Sequence, residues 1–237
     1  MRNVIFLSLL IAFSNTSFAE ETLVISKTQI SGNGKEVTYY LEGKEIAQEI
    51  IDAGGNIFRK TGEIPEGMVR SFFPDGRIEE ECYFKNNKRN GYHREYYENG
   101  QLKFESSYKE DKLEGEYKAY NRAGILMSEG VLVDGGVEGA IRIYSQEGAL
   151  ELEETYRDGQ LKKTTEFFEN GQVKNEWTWK NGVFNGFCRS YYPNGQVASL
   201  DTYAKGCLVK RIVWDEEGRM KFDKNYEHAT ENSDTQI

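Results

Sequence analysis

The sequence predicts an all-β fold, an elongated antiparallel sheet of about eight stacked β-hairpin repeats, each of 23–24 residues. Three observations carry this. A glycine recurs at a near-constant interval, aromatic and aliphatic residues recur at fixed offsets from it, and no window long enough for a helix shows a 3.6-residue period.

The glycines are Gly55, Gly76, Gly100, Gly124, Gly148, Gly171, Gly195 and Gly218, with spacings of 21, 24, 24, 24, 23, 24 and 23. Two residues after them stand Ile57, Ile78, Leu102, Leu126, Leu150, Val173, Val197 and Met220. Four residues before all but the first stand Phe72, Tyr96, Tyr120, Tyr144, Phe167, Tyr191 and Trp214. Eight residues after them come Phe84, Tyr108, Leu132, Tyr156, Trp179, Tyr203 and Tyr226. Short stretches rich in Tyr, Phe, Val and Ile around a tight turn are the signature of a hairpin.

The turn itself has two readings. Phe73-Pro74-Asp75-Gly76 and Tyr192-Pro193-Asn194-Gly195 put Pro and Gly where a type I turn closed by a glycine bulge needs them. That three-residue loop sets Tyr96 opposite Leu102 and Tyr191 opposite Val197. A two-residue loop would instead set Arg70 opposite Glu81, Arg94 opposite Glu105, Lys118 opposite Glu129 and Arg142 opposite Glu153. A second glycine (Gly67, Gly91, Gly115, Gly139, Gly186) links successive hairpins, and Lys162 and Val209 replace it in two units of 23 residues. The link is expected to be tightened there. Two strands per unit at about 4.8 Å make a ribbon of roughly 75 Å.

Blocks such as EGEYKAYNRAGILMSEG and NGFCRSYYPNGQVASLDTY resemble the MORN repeat, closest to its bacterial variant form, over about residues 51–227. The resemblance implies a scaffold or binding surface with no enzymatic activity. It also suggests an antitoxin-like label, which the export signal described next does not fit.

Residues 1–19 read as a signal peptide, with Arg2, an apolar run from Val4 to Phe13, and Ser17-Phe18-Ala19 before the cleavage point. The expected location is therefore exported, periplasmic or secreted. Residues 20–50 form an N-terminal cap or degenerate repeat, 51–227 the repeat domain, and 228–237 a polar tail expected to be disordered. Cys82, Cys188 and Cys207 allow at most one intramolecular disulfide, and Cys188–Cys207 is the nearer pair in sequence.

Composition narrows the function. Only 38% of residues are hydrophobic, but Tyr 15, Phe 13 and Trp 3 carry much of that share, and the formal charge is −9. The acidic balance argues against nucleic acid as a partner. No cofactor or metal site is expected: there is no CxxC, phosphate loop, G-x-S-x-G or H-E-x-x-H, and the two histidines fit no triad. His93 reads as an ordinary surface histidine. Glu81, Glu105, Glu129, Glu153 and Glu176 read as a solvated row, with the rings and cations on the opposite face.

The candidate site is that ring-and-cation row. Arg70, Arg94, Lys118, Arg142 and Arg189 stand two residues before Phe72, Tyr96, Tyr120, Tyr144 and Tyr191, and so share a face with them. Such a surface suits an acidic protein segment, or a glycan stacked on the rings. In the competing reading the cations lie along the rings and pair with nearby carboxylates. Phe73, Tyr97, Phe168 and Tyr192, just before four turns, are a secondary aromatic set. Two functions are expected from these features. One is an exported, non-enzymatic scaffold for a protein partner; the other is an envelope glycan- or lipid-associated module.

Overall fold

A computed structural model describes residues 23–31 and 34–226. The expected signal peptide and the tail at 228–237 lie outside the described residues. β1 (Val24–Ser31), β2 (Gly34–Leu41), β3 (Lys44–Ile51) and β4 (Ile57–Gly62) form an antiparallel N-terminal meander. Seven hairpins follow. They are β5 (Gly67–Phe72) with β6 (Ile78–Lys85), β7 (Lys88–Tyr96) with β8 (Leu102–Lys109), and β9 (Lys112–Leu113) and β10 (Gly115–Tyr120) with β11 (Leu126–Val133). Next come β12 (Gly136–Tyr144) with β13 (Leu150–Arg157), β14 (Gln160–Phe167) with β15 (Val173–Lys180), β16 (Val183–Tyr191) with β17 (Val197–Ala204), and β18 (Cys207–Trp214) with β19 (Met220–Asn225). All join in one 19-stranded sheet. The all-β ribbon of hairpins expected from the glycine spacing is the fold.

Both proposed turn registers occur, at different points of the same hairpin. At the β7–β8 turn, Gly100 N–H donates to Tyr97 O and Tyr97 N–H to Gln101 O, both at 2.8 Å. Gly100 sits at φ 85°, the left-handed conformation that closes a type I turn with a glycine bulge. Tyr96 is thus opposite Leu102, but a second bulge follows at once, and beyond it Arg94 is opposite Glu105. The extra residue is Lys103. The charge pairs that favoured a two-residue loop exist without that loop.

The links behave as the unit lengths predict. Between β6 and β7 the pairing passes from Cys82↔His93 to Phe84↔Arg89, so β7 carries two extra residues, around Gly91 at φ 134°. Between β13 and β14 it passes from Thr155↔Lys163 to Tyr156↔Leu161, one extra residue, where Lys162 replaces the glycine. A lysine strongly disfavours a positive φ, so the shorter bulge accompanies its presence.

The N-terminal meander does not simply extend the ribbon. β1 runs parallel to β5, with Val24↔Val69 and Ile25↔Arg70. The meander folds over one face of β5–β7, where Val24, Val37, Tyr39, Ala47, Ile51, Ile64, Val69, Cys82 and Phe84 form the buried core. Tyr39 of β2 meets Phe84 of β6 edge-on at 5.7 Å. Beyond the meander the same face continues as half-buried stacks such as Phe104–Tyr117 and Trp179–Phe184–Tyr203.

The possible Cys188–Cys207 bridge is not formed: Cys82, Cys188 and Cys207 are all free. Cys188 of β16 faces Asp201 on β17, while Cys207 opens β18 beside Ala204. Two strand spacings across the sheet and three residues along it put them roughly 14 Å apart, beyond the roughly 7 Å Cα reach of a disulfide.

Candidate functional site

The bulge at Lys103 recurs in each repeat hairpin, between the anchor aromatic and the residue before it. It shifts the returning strand by one residue and so brings the Glu row to the face of the Arg row. This corrects the expected separation. Period-two alternation alone puts the rows on opposite faces, and a single-residue bulge reverses that parity.

The result is a ladder of alternating charge running across the strands. Arg70 faces Glu81, which faces Arg94, then Glu105, Lys118, Glu129, Arg142 and Glu153 in successive strands. Thr165 interrupts it, and Glu176 and Arg189 resume it. Arg70 Nε lies 3.3 Å from Glu81 Oε2. Arg94 reaches Glu81 at 3.9 Å and Glu105 at 3.7 Å, and Arg142 reaches Glu129 at 3.7 Å and Glu153 at 2.9 Å. The paired cations leave the face charge-alternating rather than basic.

The anchor rings are fastened to the same ladder. Tyr96, Tyr120, Tyr144 and Tyr191 donate their hydroxyls to Glu81, Glu105, Glu129 and Glu176 of the preceding unit, at 2.8–3.1 Å. Burial and these carboxylates raise the four phenol pKa values. Phe72 holds the same position without a hydroxyl and is 37% exposed. The secondary aromatics are half-buried. Tyr97 donates to Tyr120 O and Tyr192 to Trp214 O, tying each unit's turn to the next unit's backbone, whereas Phe73 and Phe168 have no hydroxyl to do so. Asn99, Asn170 and Asn194 reach the next turn's carbonyls in the same direction.

Two exposed rings beside cations of the row escaped the sequence reading. Tyr92 is 42% and Phe187 51% exposed, and they lie 5.4 and 5.7 Å from the guanidinium groups of Arg94 and Arg189. Their signal was available: each stands two residues before a row cation and so shares its face.

His93 is not a surface residue. It is 4% exposed, with Nε2 3.0 Å from Glu80 Oε1, and it packs against Phe104 and Tyr108. Burial pushes the Glu80 carboxyl up, but the bond and charge of His93 outweigh this and hold it low. Cys82 faces His93 across the strands and lines a cavity of about 160 Å³ beneath the meander, with Lys35, Arg89 and Tyr108. A Cys–His pair acts as a nucleophile only as a thiolate. Burial pushes the Cys82 thiol up to about 12, so the pair is unsuited to that chemistry at neutral pH.

The fold and this face define an open all-β repeat array whose units are joined through side chains of one surface. Residues 65–86, 89–110, 160–181 and 185–205 match the family described as MORN repeat variant. Each matched segment covers one hairpin, β5–β6, β7–β8, β14–β15 or β16–β17, and together they cover just over a third of the chain. No curated protein matches the chain.

Proposed function

We propose that this is an exported, non-enzymatic repeat scaffold that binds a partner protein along its charged face. The observation that carries the reading is the repeated pairing of exposed rings with arginines, Tyr92 with Arg94 and Phe187 with Arg189. Tyr and Arg are the residue types that dominate binding energy at protein interfaces. Similarity to MORN repeats, whose family serves as a scaffold, supports the same reading. An antitoxin-like role is the special case in which the partner is a small toxin.

Affinity capture from an exported fraction tests this. A stoichiometric protein partner is expected, and Arg94→Glu with Arg142→Glu is expected to weaken its binding by about tenfold or more. The same double change sets three carboxylates in a row at each site. It is expected to lower stability by about 1–2 kcal/mol, because half-exposed pairs contribute little individually. Retention on peptidoglycan resin with no protein partner would replace this reading by the glycan-binding one.

A further inference from the structure

We propose that the C-terminal end of the charged face is a peptide-binding slot for an extended segment of a partner protein, one with an acidic side chain beside apolar ones. The inference rests on the scaffold reading and locates its site. It comes from the point where the charge ladder stops. Five residues after their turn glycines, earlier units carry Glu81, Glu105, Glu129, Glu153 and Glu176, but here the residue is Leu200. Arg189 faces Glu176 on one side and Leu200 on the other, and Leu200 in turn faces Ile212. Arg94 and Arg142 each stand between two carboxylates, whereas Arg189 has a carboxylate on one flank only.

The missing carboxylate is replaced by a slot. A cavity of about 350 Å³ is lined by Val197, Leu200 and Trp214, with Arg189, Gln196 and Gly218 around it. Trp214 takes the anchor position that Tyr96, Tyr120, Tyr144 and Tyr191 hold elsewhere. A tyrosine hydroxyl there would meet Leu200 rather than a glutamate, so indole and leucine suit each other. Phe187 and Met220, 51% and 58% exposed, extend the apolar surface on the same face. Charge complementarity names the occupant. The free flank of Arg189 calls for an anion where every earlier ladder arginine has a glutamate, and the walls call for an apolar side chain within a few ångströms of it. Alternate residues of an extended segment project from one face about 7 Å apart and meet both demands.

Leu200→Glu is the decisive variant, because it restores the residue of the earlier units and so closes the slot without breaking the repeat. A phage-displayed heptapeptide library is panned on the full chain, and the selected peptide is measured by fluorescence anisotropy. Enrichment of Asp or Glu within two residues of Leu, Ile, Phe or Trp is expected. Leu200→Glu is expected to weaken binding about tenfold or more, with the melting temperature kept or raised. Arg189→Gln should weaken it as well. No enrichment, enrichment of basic peptides, or full binding by Leu200→Glu would overturn the slot. If Leu200→Glu still captures the protein partner but Arg94→Glu with Arg142→Glu does not, the slot fails and the scaffold stands. If the wild-type chain captures no protein partner, the scaffold reading itself fails.

Discussion

Phe84→Ala is expected to destabilise the protein by about 3–5 kcal/mol, the range for emptying a buried aromatic site. Phe84 is 1% exposed and lies where the N-terminal meander meets the ribbon. Tyr39 packs on its edge, and the Lys60 ammonium and Arg89 guanidinium lie 5.7 and 5.5 Å from its ring. Removing the ring takes away contacts from both layers, and the strands around the site are held by their ladders, so collapse is limited. Chemical denaturation of the variant beside wild type measures the loss. A cost under about 1 kcal/mol would mean that the meander is not docked on this ring.

Glu49→Gln is expected to cost about 3 kcal/mol, the low end for breaking a buried ion pair. Glu49 is 0% exposed and accepts from Tyr39 Oη at 2.7 Å, with Arg89 at 2.7 Å and Lys60 at 2.8 Å. The amide leaves two cations without their shared counter-charge. Asp111, 3.6 Å from Arg89, retains part of the compensation and keeps the cost at the low end. Burial pushes the Glu49 carboxyl up, but Arg89, Lys60 and Tyr39 outweigh it and hold the carboxyl below its ordinary value of 4.5. A depressed carboxyl contributes stability that is fully present above the unfolded-state value and is lost as pH falls through the folded one. Wild-type stability is therefore expected to fall below about pH 4.5 more steeply than that of Glu49→Gln. Melting temperatures between pH 7 and pH 3 decide it; parallel curves would remove Glu49 from the acid response.

Much of the architecture was legible because it repeats. Gly100 and its seven counterparts marked the turns, and Lys162 marked the link that is one residue shorter. The face of the Glu row was not legible. Lys103 looks like any exposed strand residue, yet as the bulged residue it reverses the parity of everything after it. Tyr92 and Phe187 were readable by that same parity and were missed because they lack a regular counterpart in every unit. His93 was misplaced for another reason. Its burial depends on the fold-over of β1–β4, a long-range event signalled by no local pattern at Tyr92-His93-Arg94. Leu200 is the opposite case: only against the other units does one leucine stand out.

The alternating ladder also bears on how such a chain avoids misassembly. Units this similar could pair with the wrong neighbour during folding, and hydrophobic pattern alone would not prevent it. A strand that skipped its partner, β5 against β7, would set Arg70 beside Arg94, and β6 against β8 would set Glu81 beside Glu105. Each error brings like charges together across the sheet, which is unfavourable wherever it occurs. Skipping a whole unit keeps the signs complementary, so β5 against β8 passes this check. The ladder therefore proofreads single strands and not whole repeats, and the array can gain or lose a repeat without altering its charge code.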